Sequence, residues 1–496
     1  MHAPASPSPL DVIIVGAGIS GIGMAAHLAR KCPNKRYAVV DRRERLGGTW
    51  DLFRYPGVRS DSDMYTLGFE FEPWRDGRAI ASGETILSYL DSVVAKYGVA
   101  DHIRLGETAL SADWDSDRSL WTLRTRTADG EDKALTGRFL YLGSGYYDHD
   151  QPYDAPIPGL EGFGGPIIHP QFWRDDIDLS GKKIVVIGSG ATAATVVPAL
   201  AQTAAHVTQL QRTPSYYITQ PASDWLARLL QRMLPARAAY ALTRVKNSRL
   251  QDMFVRRSRR KPGEVTDFLV DQVAEQLGDK FDAADFRPPY GPWDQRVCLV
   301  PDGDLFTAIR EGMASVVTGK IDVVDATGIR LDDGRYIEAD VIVTATGLKL
   351  ATLGNITVSM DGDPVDFTGR FYYRNCMFSN VPNFAALFGY LNAAWTLRVD
   401  MVADWLCRLF NQMDTWNADV VTPVLARDHG LVEDDPFWGF NSGYLKRGRH
   451  LLPKSATTAP WRLSMDYFAD RKSMRHDPID DGVLRFERIG IRDAAR

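Results

Sequence analysis

The sequence predicts an α/β protein with two Rossmann-like dinucleotide-binding domains, the second interrupted by a helical insertion. Two glycine-rich loops, one opening at Gly16 and one at Gly188, each follow an apolar run and precede a helix-patterned stretch. Between about residue 222 and residue 317 the pattern changes to basic, helical periodicity. A length of 496 residues agrees with two or three domains rather than one core.

The first unit begins with Asp11-Val-Ile-Ile-Val15, a continuous apolar run of the kind that a buried parallel strand requires. It leads into Gly16-Ala-Gly18-Ile-Ser20-Gly21 and an alanine-rich helical segment. Small residues there let backbone N–H groups and a helix N-terminus approach a pyrophosphate. Tyr37-Ala-Val-Val40 is the next strand, and Asp41 closes it, placed to accept hydrogen bonds from both hydroxyls of an adenosine ribose.

The second unit repeats the device. Lys183-Ile-Val-Val-Ile187 precedes Gly188-Ser189-Gly190-Ala191-Thr192-Ala193, where Ala193 takes the third glycine's place because that position needs only a small side chain. The strand ending at Leu210 finishes in Gln211-Arg212-Thr213 instead of an acid. A guanidinium and a hydroxyl bind a 2′-phosphate that a carboxylate would repel. The first loop is therefore expected to hold FAD and the second NADPH, with hydride passing between them. Asp340-Val-Ile-Val-Thr-Ala-Thr346-Gly347 reads as a further buried strand ending in Ala-Thr-Gly. It resembles the strand that returns the chain from NADP domain to FAD domain in a group of two-nucleotide flavoproteins, with Tyr141-Leu-Gly-Ser-Gly145 as its degenerate counterpart before the first linker.

Composition sets the outer bounds. With 45% hydrophobic and 24% charged residues, the chain reads as an ordinary globular protein, and a net charge of −5 gives no basic face for nucleic acid. Cys32, Cys298, Cys376 and Cys407 form no CxxC pair, so neither a zinc ribbon, any other metal site, nor a dithiol redox centre is written locally. Reduced thiols in a cytoplasmic enzyme are the expectation. Residues 1–9, rich in proline and serine, are expected to form a disordered tip rather than a signal peptide. No apolar run of about 18 residues is present to span a membrane.

Two further stretches carry a family likeness. Gly47-Gly48-Thr49-Trp50-Asp51-Leu-Phe-Arg-Tyr-Pro-Gly-Val-Arg59-Ser60-Asp61, with Phe163-x-Gly165-x-x-x-His169-x-x-x-Trp173, resembles the paired fingerprints of the class B flavoprotein monooxygenases, Baeyer–Villiger branch. Tyr290-Gly-Pro-Trp-Asp-Gln-Arg296, Phe388 to Arg398, Ser442-Gly-Tyr444 and Leu452-Pro-Lys454 resemble the mycobacterial ethionamide-activating subgroup, in which the position of Asp41 is normally Glu.

That resemblance implies an FAD- and NADPH-dependent enzyme that inserts one oxygen atom of O2 by way of a C4a-peroxyflavin. Its substrates would be small-molecule ketones, converted to esters or lactones, and thioethers, converted to sulfoxides. The alternative is an N- or S-oxygenating flavin monooxygenase without Baeyer–Villiger activity. The resemblance places Gly48, Thr49, Trp50, Asp51, Arg59, Ser60 and Asp61 along the isoalloxazine and nicotinamide. It makes Arg296 the catalytic cation that stabilises the anionic peroxide and Asp61 the carboxylate that orients it. It makes Phe163, Gly165, His169 and Trp173 a linker fingerprint and gives His169 a part in domain movement and NADP-dependent coupling rather than bond chemistry. Arg174 stands where many members carry Pro or Asp. Gln295 replaces a lysine that often helps bind the 2′-phosphate, which implies a softer NADPH preference.

The expected domains are 10–145 with 380–496 for FAD, 146–221 with 318–379 for NADP and its linker, and 222–317 for the insertion. Within the insertion Trp225, Leu226, Leu229, Leu230 and Met233 share one helical face that ends at Pro235. Eleven Lys or Arg face two Asp between Ser223 and Lys261. Such a surface suits peripheral contact with an anionic membrane, but a solvated helical lid over the active site is the favoured expectation.

Overall fold

The parallel strand Leu10–Val15, whose central residues are fully buried, is the axis of the first of two sheets in the computed structural model, which describes residues 8–435 and 440–489. The expected N-terminal tip lies outside those residues except for Ser8 and Pro9, and Ser8 accepts a hydrogen bond from Arg36. Tyr37–Val40 and Asp132–Leu142 flank Leu10–Val15, both parallel to it. Glu107–Asp115 and Leu120–Thr127 continue the sheet as an antiparallel meander, and Phe384–Ala386 pairs in parallel with Asp132–Leu142. Helix Ile19–Lys31 packs beside the long helix Trp395–Trp416, so residues far apart in sequence close one core.

The second sheet is all parallel, in the order Ala314–Thr318, His206–Gln211, Lys183–Ile187, Val341–Thr344, Ile167–Ile168. Ile184, Val185 and Val186 are each at most 1% exposed, which explains the unbroken apolar run. Two Rossmann-like units are thus present as expected.

Two expected boundaries move. The block 318–379 was assigned whole to the second domain, yet Thr357–Met360 extends the first sheet by pairing in parallel with Ser111–Trp114. Val358, Phe367, Tyr372 and Phe378 fill the core on that side, so the chain has crossed back before residue 357. The insertion also ends earlier than 317. Its helices are Trp225–Met233, Ala236–Arg260, Pro262–Leu277 and the short Ala283–Phe286. Cys298–Pro301 already pairs with Tyr217–Gln220, and Ala314–Thr318 is an edge of the second sheet. Strand propensity marks both segments as extended but does not say which sheet receives them.

The insertion braces both domains. Arg244, on its long helix, donates to the carbonyls of Gly68 (2.6 Å) and Tyr65 (3.0 Å) and to Asp400 Oδ2 (2.8 Å). Asp400 also meets His27 Nε2 at 3.2 Å. On the other side, Gln272 Oε1 accepts from Thr219 N at 2.9 Å. Among the described residues no helix is long and apolar enough to cross a membrane.

Arg244→Met leaves the Asp400 carboxylate buried without its cation and the carbonyls of Tyr65, Thr66 and Gly68 short of a donor. We expect a loss of about 3–5 kcal/mol of stability, part of which returns in Arg244→Met/Asp400→Asn. Chemical denaturation followed by far-UV circular dichroism measures it; a loss no larger than that of a surface substitution would remove Arg244 as the brace.

Candidate active site

Both glycine loops open into a single cleft of about 1250 Å3 between the two sheets. That exceeds the roughly 300–1,000 Å3 of a typical single-ligand pocket and suits two dinucleotides. In the first loop Gly16, Gly18 and Ser20 line the cleft, while Gly21 does not. A Cβ on Gly21 would collide with the carbonyl of Gly16, so this glycine serves the close approach of helix to strand. Ser20 Oγ accepts from Trp395 Nε1 at 2.9 Å. Asp41 accepts from Ala17 N (2.6 Å) and Arg43 N (2.9 Å), which fixes its carboxylate at the strand end facing the cleft. Burial pushes its pKa up, partly offset by those N–H donors.

In the second loop Gly188, Ser189, Gly190, Ala191 and Thr192 line the cleft, and nothing lies within 4 Å of where a Gly190 Cβ would stand. Ala193 is fully buried in the helix–strand packing. Ser189 Oγ donates to the carbonyl of Thr213 at 3.0 Å, joining the loop to the end of the next strand. Arg212 is exposed at the cleft wall, with no recorded carboxylate partner among the described residues.

The segment from Gly47 to Asp61 divides its work. Gly48, Thr49, Trp50, Arg59, Ser60 and Asp61 line the cleft. Asp51 does not, which corrects its expected place against the cofactor. Its buried carboxylate pairs with Arg43 at 2.7 Å and with Arg54, so it stiffens the loop from behind. Ser60 Oγ accepts from Ala81 N at 3.2 Å. Arg59 makes a two-pronged pair with Asp304, at the start of helix Asp304–Arg310, and so ties this segment to the second domain. The helix Met64–Leu67 is capped by Asp63, not by Asp61.

Asp61 is instead turned to Arg296, whose Nη2 lies 3.1 Å from Asp61 Oδ2. The Arg296 side chain is 35% exposed and that of Asp61 42%, and both line the cleft. Desolvation alone would lower the arginine's pKa; Asp61 first, then Tyr146, Tyr444 and Tyr147, outweigh it and hold the guanidinium more firmly charged than usual.

Phe163 packs into a small core of the second unit with Val185, Ile187 and Leu210. A Cβ on Gly165 would strike the carbonyl of Asp340. His169 Nδ1 accepts from Gln171 N at 3.2 Å, and burial lowers its pKa. Trp173 packs on the second core. None of the four lines the cleft. They follow or flank the edge strand Ile167–Ile168, whose partner Val341–Thr344 runs on into the cleft wall at Ala345-Thr346-Gly347.

Residues 14–76 match the NAD(P)-binding Rossmann-like domain, and residues 78–353 match the flavin-binding monooxygenase-like family. The chain belongs to the flavin-binding monooxygenase-like family. It is 49% identical to the FAD-containing monooxygenase EthA of Mycobacterium tuberculosis over 96% of this chain and 97% of that protein. It is 43% identical to the probable FAD-binding monooxygenase AlmA of Acinetobacter baylyi over 97% of this chain and 96% of that one. Among solved structures, an oxidised steroid monooxygenase bound to NADP shares the fold with a TM-score of 0.76 at 22% identity, covering 97% of this chain and 100% of that one. Cyclohexanone monooxygenase from Rhodococcus sp. Phi1 bound to NADP+ does so with a TM-score of 0.74 at 20% identity and the same coverage.

Within this flavin-binding monooxygenase-like cleft the structure adds groups that sequence reading missed. Lys320 and Gly319 line it beside Arg212. The register explains why: Thr318 pairs with Gln211, and Gly319 N donates to the Gln211 carbonyl at 2.9 Å. Lys320 thus supplies a second cation next to Arg212 in the cleft wall. Tyr146 and Tyr147, joined by a hydrogen bond between their hydroxyls, face Arg296's surroundings with Tyr444. Tyr146 stacks on Trp395 with ring centres 4.9 Å apart. The sequence did carry a signal for the tyrosine pair, since both stand directly after the Gly143-Ser-Gly145 turn.

Arg212→Ala is expected to raise the KM for NADPH about 10–150-fold and to leave that for NADH nearly unchanged, as loss of one charge-assisted contact predicts. Lys320→Ala should shift the NADPH KM in the same direction. Steady-state kinetics with both nucleotides decide it; equal losses for NADPH and NADH would make these cations structural.

Proposed function

We propose that this chain is an FAD- and NADPH-dependent Baeyer–Villiger monooxygenase that converts ketones to esters or lactones and also oxidises thioethers to sulfoxides. One oxygen atom of O2 enters the product, and the other leaves as water with the two electrons of NADPH. The observation that carries this reading is the Arg296–Asp61 pair, set in the cleft wall between the two nucleotide loops. FAD, when bound and reduced by NADPH, supplies the oxygen-activating chemistry.

The chain's own residues do the rest. Gly18 and Gly48, whose backbones pack on each other, line the cleft without side chains where a pyrophosphate and a flat ring would lie, and Asp41 receives the ribose. Gly190 admits the second pyrophosphate, and Arg212 with Lys320 receives the 2′-phosphate. Arg296 stabilises negative charge that develops on oxygen during transfer, and it does so as a cation that cannot give up its proton. Asp61 aims it, and because the carboxylate is itself partly exposed it leaves the guanidinium free to face a second anion. Tyr146, Trp395 and Tyr444 form an apolar wall that limits water.

Arg296→Ala should keep its flavin and its reduction by NADPH while ester formation from a cyclic ketone falls about 10²–10³-fold. Product analysis by gas chromatography reads the result, and ester formation within tenfold of the parent would end the catalytic assignment.

The two aspartates should separate in a different measurement, the flavin-to-protein ratio after purification. Asp41→Ala is expected to lose flavin, since its partner is the adenosine ribose. Asp61→Ala is expected to stay yellow and fail to oxygenate. A colourless Asp61→Ala beside a fully loaded Asp41→Ala would reverse the two roles.

A further inference from the structure

The helix Trp225–Met233 does not form the expected lid: none of its residues lines the cleft. It sits on the protein by its inner side, where Ala227 is fully buried and Gln231 Nε2 reaches the carbonyl of Trp74 at 3.3 Å. Asp224 caps it, accepting from Ala227 N at 3.0 Å. Leu226 and Leu230, predicted on the same face as the others, are partly covered and belong to the inner side. The outer side is left with Trp225 at 74% exposure, Met233 at 71% and Leu229 at 42%.

Large apolar side chains this exposed, on successive turns of one helix, are not scattered surface hydrophobes. Their neighbours on the helix surface are Arg228 and Arg232, both exposed. Neither has a recorded carboxylate partner among the described residues. The acids of this stretch are already engaged: Asp224 with Lys246 and Asp252 with Arg256. The following helix, Ala236–Arg260, repeats the pattern, with Leu242 (53%) and Met253 (56%) exposed on the flank that carries Arg249.

We propose that the outer face of Trp225–Met233 docks on the surface of an anionic lipid bilayer. Tryptophan and leucine next to unpaired arginines are what the boundary between headgroups and acyl chains accepts: the rings and thioether enter the apolar layer while guanidinium groups meet lipid phosphates. Charge complementarity decides among occupants. A second copy of this acidic chain would bring a matching arginine-rich face to an arginine-rich face, and nucleic acid would leave Trp225 and Met233 exposed. The helix lies in the interface plane without crossing it, in keeping with the absence of a spanning helix among the described residues.

The test uses the full-length, flavin-loaded protein in flotation with two vesicle types, phosphatidylcholine alone and phosphatidylcholine containing about one-third phosphatidylglycerol. The parent should float with the anionic vesicles, remain behind with the neutral ones, and be released by raised salt. Trp225→Gln/Met233→Gln should cut the bound fraction at least tenfold. Arg228→Gln and Arg232→Gln should each weaken binding about fivefold. NADPH oxidation by all these variants should match the parent, which shows that they are folded. Failure of the parent to float with anionic vesicles overturns the proposal. So does a sedimentation mass that falls from dimer to monomer in Trp225→Gln/Met233→Gln, which would give the face to a second copy. Duplex DNA displacing the vesicles, with binding indifferent to Trp225→Gln/Met233→Gln, overturns it as well.

Discussion

A cation that belongs to one stretch of chain has to be held over a site built from two domains, and the buried Arg244–Asp400 pair is what makes that geometry hold. Arg244 reaches from the insertion into the first domain and takes the carbonyls of Tyr65, Thr66 and Gly68, immediately after the loop that carries Asp61. On the same helix Asn247 donates to Asp63 Oδ1 at 2.9 Å. The insertion then runs on to the loop bearing Arg296. Both members of the Asp61–Arg296 pair are therefore referred to one rigid helix. Burying an ion pair seldom adds net stability, but it fixes one arrangement and rejects its neighbours.

Four aspartates within a short stretch show how environment assigns different work to one side chain. Asp51 is buried among arginines and only braces. Asp63 is enclosed, caps a helix, and has its pKa pushed up by burial against the pull of Asn247 and Thr66. Asp41 is turned to the cleft but already fixed by two backbone donors. Asp61 alone pairs with a cation and stays open to solvent, a contact that screening keeps modest. A fully buried partner would hold Arg296 too tightly for it to serve an arriving anion.

Much of this was legible in the chain because it is local. The Gly16 and Gly188 loops, the acid at Asp41 and its replacement by Arg212 follow from strand–turn–helix chemistry within about 30 residues. Arg296 and Asp61, which lie far apart in sequence, were legible only through a family resemblance, and the structure brings them within 3.1 Å. What escaped depends on lateral pairing. Lys320 reaches Arg212 through the register of Thr318 on Gln211, and Thr357–Met360 is an extended segment until its partner strand is known. Asp51 was misplaced because Thr49–Leu52 is a single helical turn whose consecutive side chains point about 100° apart, so Trp50 faces the cleft and Asp51 faces Arg43.

The linker residues show how a position off the site still governs it. His169, Phe163 and Trp173 do not line the cleft, yet they flank the edge strand Ile167–Ile168, which pairs with Val341–Thr344, whose continuation is a cleft wall. A disturbance there would move that wall as a body. The first domain is tied across by the two-pronged, partly buried Arg59–Asp304 pair and by Tyr55, which is buried in the second core with Phe53 and Val58 packed beside it. The first domain therefore meets the second through packed side chains as well as an ion pair, which sets the two nucleotide loops in register across the cleft. A cleft that serves two cofactors needs that register, and the Arg244 brace, joining the insertion to the first domain, keeps Arg296 beside Asp61 within it.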